Sequence, residues 1–292
     1  MANSISLFKQ YVPILDEVYR NASLTSVLDG AADLARQGAN ANELIIPKMS
    51  MDGLANYSRN SGYVGGDVTL TNETVACNFD RGRMFVVDNL DNAESAGLAY
   101  GRLAGEFIRT KVVPELDAFR LAAYAQVSGI GTTTGAALST GAAVVEALRA
   151  ASNALDEAEV PATERYLFIT PTLAALVDDL DTAKSRAVMA TFAQVVKVPQ
   201  TRMYTKITQY DGTTSGQTAG GYVKDATNGK NINFLVIHKP AVIQYQKHVA
   251  PKVITPEQNQ DADAWKFGYR NVGIADVYEN KVAGIYLHKA AT

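Results

Sequence analysis

Cysteine is almost missing from this chain of 292 residues. Cys77 stands alone, so no disulfide can close within the chain and thiolate metal clusters are excluded. Histidine is nearly as scarce: His238, His248 and His288 are the only three, and none sits at a metal-ligand spacing. Basic excess is also lacking. Lys and Arg number 27 against 30 Asp and Glu, for a net charge of −3, so a reader of the nucleic-acid backbone is disfavoured. No apolar run reaches the roughly 18 residues of a membrane helix, and the start MANSISLFKQYVP lacks the charged-then-apolar order of a secretory signal. The G-x-S-x-G elbow of many serine hydrolases is absent. Gly129 to Gly135 (GIGTTTG) follows a helical pattern instead of a strand, has the wrong spacing for a dinucleotide turn, and has no lysine for a phosphate loop. Asp178, Asp179 and Asp181 stand beside Lys184 and Arg186 and read as a solvated helix end, while Asp261 and Asp263 have no partner histidine. No catalytic residue, cofactor site or metal site is expected, and the chain is not expected to be an enzyme.

What the chain does have is a long helical pattern. Met84 to Val87 reads as a strand end, and Asp88, Asn89 and Asp91 supply helix-start chemistry, with Glu94 in the first turn. Ala93, Ala96, Tyr100, Leu103, Ala104, Phe107, Ile108 and Val112 then recur every three or four residues, as one buried helical face does. Pro114 is expected to bend this helix or end its first segment. The pattern resumes through Leu116, Phe119, Ala122, Ala123 and Val127, giving a spine of about 35 residues and roughly 50 Å.

Before the spine, residues 43–87 open on a short strand, ELIIPKM, and become polar and glycine-dotted. Val68, Leu70, Thr74, Val75 and Phe79 show sparse period-two alternation, which predicts an extended hairpin with arms of about 15 residues. Such a hairpin has too little apolar surface to stand alone in water. Residues 1–20 carry Leu7, Phe8, Tyr11, Leu15 and Tyr19 and read as an arm with a packing surface. After the spine, 128–141 reads as a small-residue loop, 142–158 as an amphipathic helix, Tyr166–Thr170 as a buried strand, and Thr170-Pro171 as a hydroxyl-capped helix start. A helix over 183–198, strands at 203–208 and 233–238, a polar loop at 211–230 and strands at 241–245, 265–272, 275–278 and 282–288 complete an α+β body.

The order of these parts resembles the major capsid protein of tailed bacteriophages, with its HK97-like fold. Asn56-Tyr57-Ser58-Arg59 with Gly62 and GGDVTLTNET is followed by Arg81-Gly82-Arg83-Met84-Phe85-Val86-Val87-Asp88 and Asp91-Asn92-Ala93-Glu94. That run is similar to the join between extension loop and spine in capsid proteins of phages that infect Gram-positive bacteria. RYLFITPTLAALV resembles the strand–proline–helix of the axial domain, and DVYENKVAGIYLHKA the closing sheet of the peripheral domain.

The resemblance implies an N-terminal arm over 1–42 and an extension-loop hairpin over 43–87. It implies a peripheral domain with the spine helix over 88–150 and 237–292, and an axial domain over 151–236. It implies a structural subunit that assembles as hexamers and pentamers of an icosahedral head around double-stranded DNA held without sequence-specific contacts. Portal and scaffolding proteins are the implied partners, with assembly in the host bacterial cytoplasm and final residence in the virion capsid. Tyr57, Arg59, Tyr63, Arg81, Arg83, Asp88, Asp91, Glu94, Phe8 and Tyr11 are the expected inter-subunit contacts. The alternative for Arg81 and Arg83 is a local salt bridge to Asp88, Asp91 and Glu94. Only about 40 residues precede the first strand and they lack sustained heptads, so the scaffold is expected to be a separate protein and the arm to persist. Two other functions fit the same outline: an encapsulin-type nanocompartment shell, and a soluble α+β enzyme with the hairpin as a lid.

Overall fold

A computed structural model describes residues 23–30, 36–37, 43–90, 98–135 and 138–291. Phe8, Tyr11, Asp91 and Glu94 lie outside the described residues.

The body is a five-stranded sheet of β5 (Gly131–Thr134), β13 (Ile285–Lys289), β10 (Ile232–His238), β6 (Arg165–Ile169) and β7 (Gln194–Lys197), in that spatial order. The two outer pairs are parallel and the inner two antiparallel. The near-continuous apolar run of β10 follows from cover on both faces. Leu235 and Ile237 point to one side, into a core with Leu121 and Tyr124. Phe234 and Val236 point to the other, against helices α3 (Gly141–Glu157) and α4 (Pro171–Asp178). Thr140 caps α3, its Oγ1 accepting from the Ala143 N–H at 3.3 Å. A reciprocal Thr182–Ser185 box starts α5 (Ala183–Met189).

A second sheet, in the order β11 (Val242–Ile254), β12 (Ala264–Val277) and β4 (Phe79–Asp88), is antiparallel throughout. The spine lies on it. Helix α1 (Leu98–Phe107) runs through a π-helical turn, Ile108–Val112, into α2 (Val113–Gln126). Ala104, Ile108, Val113 and Leu116 pack on Phe79, Phe267 and Tyr269. The π turn is where the expected bend at Pro114 is absorbed. Proline has no N–H and crowds the carbonyl one turn back, and the wider turn, closed by Val113 N–H to Ile108 C=O, opens that space.

The hairpin is shorter than its sequence suggests. β2 (Glu43–Met51) and β3 (Val68–Ala76) pair over nine residues, with β1 (Arg36–Gln37) beside β2. Residues 79–88 leave the hairpin and form the edge strand β4, because Phe79 and Phe85 alternate toward the spine.

Other segments also differ from expectation. Residues 131–134 form a strand: their threonines are β-branched and pair along β13. The helix predicted over 183–198 stops at Met189, and Val195 and Val196 go into β7. The strand expected at 203–208 shortens to β8 (Ile207–Gln209), which pairs with β9 (Tyr222–Lys224). Strands expected at 265–272 and 275–278 are one strand across Gly273, where a Cβ would stand 3.0 Å from the Tyr245 carbonyl. The turn expected at Asn280-Lys281 is a short 3-10 helix. Ile285–Lys289, expected to close the sheet of residues 241–278, belongs to the five-stranded sheet instead.

Candidate assembly surface

Side-chain direction alternates along β2 and β3, so the register decides what each face of the ribbon shows. Met49 stands opposite Leu70 and Met51 opposite Val68, which places four apolar side chains on one face. All four are more than half exposed, Met51 reaching 67%. Thr69 and Thr71 point to the other face, and both are exposed. The ribbon is therefore amphipathic, and among the described residues nothing covers its apolar side.

Its tip is tied twice. Asp67 N–H donates to Asp52 Oδ2 at 2.9 Å, and Ser58 and Gly62 exchange backbone hydrogen bonds. Gly62 turns the chain at φ +75°, a region that favours glycine. Tyr57 and Tyr63 meet edge-on at 4.9 Å on the tip, and Tyr63 is 89% exposed. Arg59 lies in the turn between them, and Leu54 is fully exposed. Among the described residues, eleven of the thirteen exposed large hydrophobic side chains fall between Met49 and Leu90. The exposed apolar surface is thus concentrated on the ribbon and the strand that follows it. On that strand Met84 and Val86 are exposed on the face opposite Phe85, where Asp80 also holds Arg270 through two hydrogen bonds of 2.8 and 2.5 Å. That carboxylate pushes the Arg270 pKa up.

Among the described residues the two arginines of the join bond to groups other than Asp88, and Asp91 and Glu94 lie outside the described residues. Arg81 Nε donates to Glu115 Oε1 on α2 at 2.8 Å, and its Nη2 donates to the Tyr210 carbonyl at 2.7 Å. Arg83 Nη2 donates to the Thr218 carbonyl at 3.1 Å. Alternation explains this: both side chains point to the spine side of β4, where the loop of residues 210–221 arrives. Asp88 acts locally, its Oδ1 accepting from Leu90 N–H at 2.9 Å.

Sequence reasoning missed a buried cluster around Asp117. This fully buried carboxylate accepts from Ser23 Oγ at 2.8 Å, Thr25 Oγ1 at 2.7 Å and Leu24 N–H at 3.0 Å. Arg202 Nη1 adds a charged donor at 3.0 Å. Arg120, also buried, donates to Thr25 Oγ1, and Gln244 Nε2 donates to the Thr25 carbonyl. Residues 23–30 are thereby clasped to α2, β11 and the Arg202 loop. An aspartate and an arginine three apart look like any wet helix pair in the sequence, and only the arrival of Ser23 and Thr25 marks them as buried.

A groove of about 1110 Å³ lies between β4, the spine and the 201–224 loops. Phe85, Phe107, Tyr204, Tyr210, Tyr222 and Tyr269 are among its walls. Burial pushes the Tyr222 phenol up to about 12, so it stays a hydrogen-bond donor, here to the Thr201 carbonyl. Asn271 on the floor is 1% exposed, and neither polar atom of its side-chain amide has a partner among the described residues. Leaving such a group unpaired costs about 1–3 kcal/mol.

The remaining candidates are structural. Asp178 pairs with Lys197 at 3.1 Å, Asp181 with Arg186 at 3.5 Å and Asp261 with Lys266 at 2.6 Å. Among the described residues no group of three or more His, Cys, Asp or Glu is placed to hold a metal, and no helix is long and apolar enough to cross a membrane.

No protein-family model matches the chain, and no curated protein matches its sequence. Solved structures do match. A Mycobacterium phage Che8 structure superposes with a TM-score of 0.59 at 15% identity, over 91% of this chain and 90% of that one. The capsid structure of Cyanophage P-SCSP1u gives 0.56 at 13% identity, over 88% and 86%. A virus-like particle from Pyrococcus furiosus gives 0.53 at 13% identity, over 93% and 98%. Ribbon, spine and two-faced sheet, with these superpositions, place the chain in the α+β class, with the HK97-like fold of phage capsid proteins.

Proposed function

We propose that this chain is a shell-forming capsid protein, a structural subunit and not an enzyme. The observation that carries the reading is the amphipathic ribbon: an HK97-like body extends a strand pair whose apolar face is left uncovered by the described residues. A ribbon that covers a different patch on the next copy makes a head-to-tail contact, and such contacts close into rings when the rotation closes. Hexamers and pentamers of an icosahedral head are the rings this reading calls for.

In that assembly the ribbon of residues 43–76 acts as the extension loop, the spine with the sheet of β4, β11 and β12 as the peripheral domain, and the five-stranded sheet with α3, α4 and α5 as the axial domain. Tyr57, Arg59 and Tyr63 meet a neighbour at the tip, and Arg81, Arg83 and Asp88 set the angle at which the ribbon leaves the body. The packaged DNA is contained without sequence-specific contacts, and the net charge of −3 suits a wall that does not grip it. Portal and scaffolding proteins complete the particle, which is built in the host bacterial cytoplasm.

Electron microscopy of the purified protein, alone and with its neighbouring gene products, is the test. Closed shells are expected, and Met51→Asp with Leu70→Asp should abolish them while leaving a folded subunit. A monomer that never assembles under any salt condition would overturn the proposal. The likeness to the Pyrococcus furiosus particle supports a second reading, an encapsulin-type compartment. Particle contents separate the two: packaged nucleic acid for a phage head, a protein cargo for a compartment.

A further inference from the structure

We infer that the root of the ribbon straps the hairpin of β8 and β9 across the groove, so that the hairpin is a flap whose closure depends on the position of β4. The first observation is how little else holds it. No residue from Ile207 to Lys224 is buried, and β8 pairs with β9 over only three residues. A two-stranded piece of this size has no core of its own. Its loop is bonded mainly to itself: Asp211 Oδ1 accepts from the Thr213 and Thr214 N–H groups, and the Gly220 N–H donates to the Gln217 carbonyl. On its own side of the groove, Tyr222 donates to the Thr201 carbonyl and Thr208 Oγ1 to Asp225 Oδ2. Both bonds sit on the paired strands at the base of the hairpin, where a swing displaces atoms least.

The second observation is the strap itself. Arg81 Nη2 donates to the Tyr210 carbonyl at 2.7 Å and reaches the Gly221 carbonyl at 3.5 Å, at the two ends of the loop. Its Nε holds Glu115 Oε1 on α2, and the same oxygen accepts from Gln209 Nε2 of β8 at 3.3 Å. One guanidinium thus joins β4, the spine and the flap, a task that needs its fork of donors. Arg83 adds the Thr218 carbonyl, and Gly220 at φ +68° leaves room for it: a Cβ there would stand 2.9 Å from Arg83 Nη1. Among the described residues, these are the hydrogen bonds that cross from the hairpin to β4 and the spine. β4 follows the ribbon directly in the chain, so a turn of the ribbon's root draws both guanidinium groups off the loop carbonyls. The flap then opens, and the aromatic wall of the groove is uncovered. This device belongs to the unassembled chain and stands whether or not shells form.

The test is a distance across the groove. The full-length, unassembled chain with Cys77→Ser carries nitroxide labels at Ser215→Cys on the loop and Arg109→Cys on the spine, both exposed positions. Double electron–electron resonance is expected to give one narrow distance. Arg81→Ala with Arg83→Ala should shift the balance toward open forms by about 100-fold, through loss of the charged donors, with the melting transition still cooperative. That shift reads as a broad distribution at longer distance, and Glu115→Gln should give a weaker version of it. Hydrogen exchange separates a swing from unfolding: the Tyr210 and Gln217 amides, bonded within the hairpin, should keep their protection. A broad distribution in the parent, an unchanged narrow one in the double variant, or loss of that protection would each overturn the inference. If the double variant does not melt cooperatively, Glu115→Gln decides, and a distribution identical to the parent's overturns the strap.

Discussion

Two regions of this protein present large apolar side chains that meet opposite fates. In β10, Phe234, Leu235, Val236 and Ile237 are wholly buried. In the ribbon, Met49, Met51, Val68 and Leu70 are mostly exposed. The difference is cover: β10 is the middle strand of five, with helices on both faces, whereas β2 and β3 have no layer against their apolar side among the described residues. A hydrophobic residue stabilises a subunit only if its own chain supplies the second layer. Where the chain withholds it, the same residue serves assembly.

The sharpest way to break this comparison is to truncate one residue on each side of it. Phe234→Ala should cost about 3–5 kcal/mol, since it removes a fully buried ring from a close-packed layer. Met51→Ala should change subunit stability by less than about 0.5 kcal/mol. Urea denaturation of the unassembled chains measures both. Comparable losses would show that the ribbon has cover within the subunit.

Asp117→Ala tests the clasp. Arg202 would lose its carboxylate, and Ser23, Leu24 and Thr25 would lose an acceptor. Breaking a buried pair on one side costs about 3–5 kcal/mol. The expected result is a destabilised body with faster amide exchange at residues 24–30. Unchanged protection there would mean that the segment is held by other contacts.

How much of this was legible in the sequence follows from range. The β10 run, helix 141–157 and the spine face were readable because their signals are local periodicities. The length of the ribbon was not. Residues 79–88 have the same alternation whether they pair with β3 or with β12, and the choice depends on aromatic contacts with a helix some twenty residues on. β12 was read as two strands because Gly273 looks like a break, whereas it allows the close approach of Tyr245. Thr170 was expected to cap a helix through its hydroxyl, yet makes no such bond. Tyr57, Arg59 and Tyr63 could be placed on a polar loop, but the apolar pairing of Met49 with Leu70 needed the register. Asn271 gave no signal at all, since an asparagine in a strand is unremarkable until its partners are counted.

Within the covered body, pH supplies a milder test. His288 on β13 stacks on Phe234 at 5.0 Å between centroids, its Nδ1 accepts from Asn233 Nδ2 at 3.0 Å, and burial pushes its pKa down from 6.5. The unfolded chain then takes up this proton more readily than the folded one. Stability from this group is present above about pH 6.5 and is lost as the pH falls through that value toward the folded pKa. His238, also lowered by burial, acts in the same direction. Denaturation midpoints between pH 7.5 and 5 should fall, and His288→Gln should flatten part of that slope. An identical slope in the variant would remove His288 from the account.

The smallest effect on the subunit, and the most informative about the join, is expected from Arg83. Its guanidinium gives one exposed hydrogen bond to a carbonyl of the 210–221 loop, whereas Arg81 is half-buried and holds both Glu115 and Tyr210. Surface contacts of the Arg83 kind contribute about 0–1 kcal/mol. Arg83→Glu should therefore leave the denaturation midpoint of the unassembled chain nearly unchanged. If the join sets the angle of the ribbon, the same substitution reverses a charge where the ribbon departs and should suppress particle formation. Normal particles from Arg83→Glu would return this residue to a local role and leave the ribbon's apolar face as the assembly determinant.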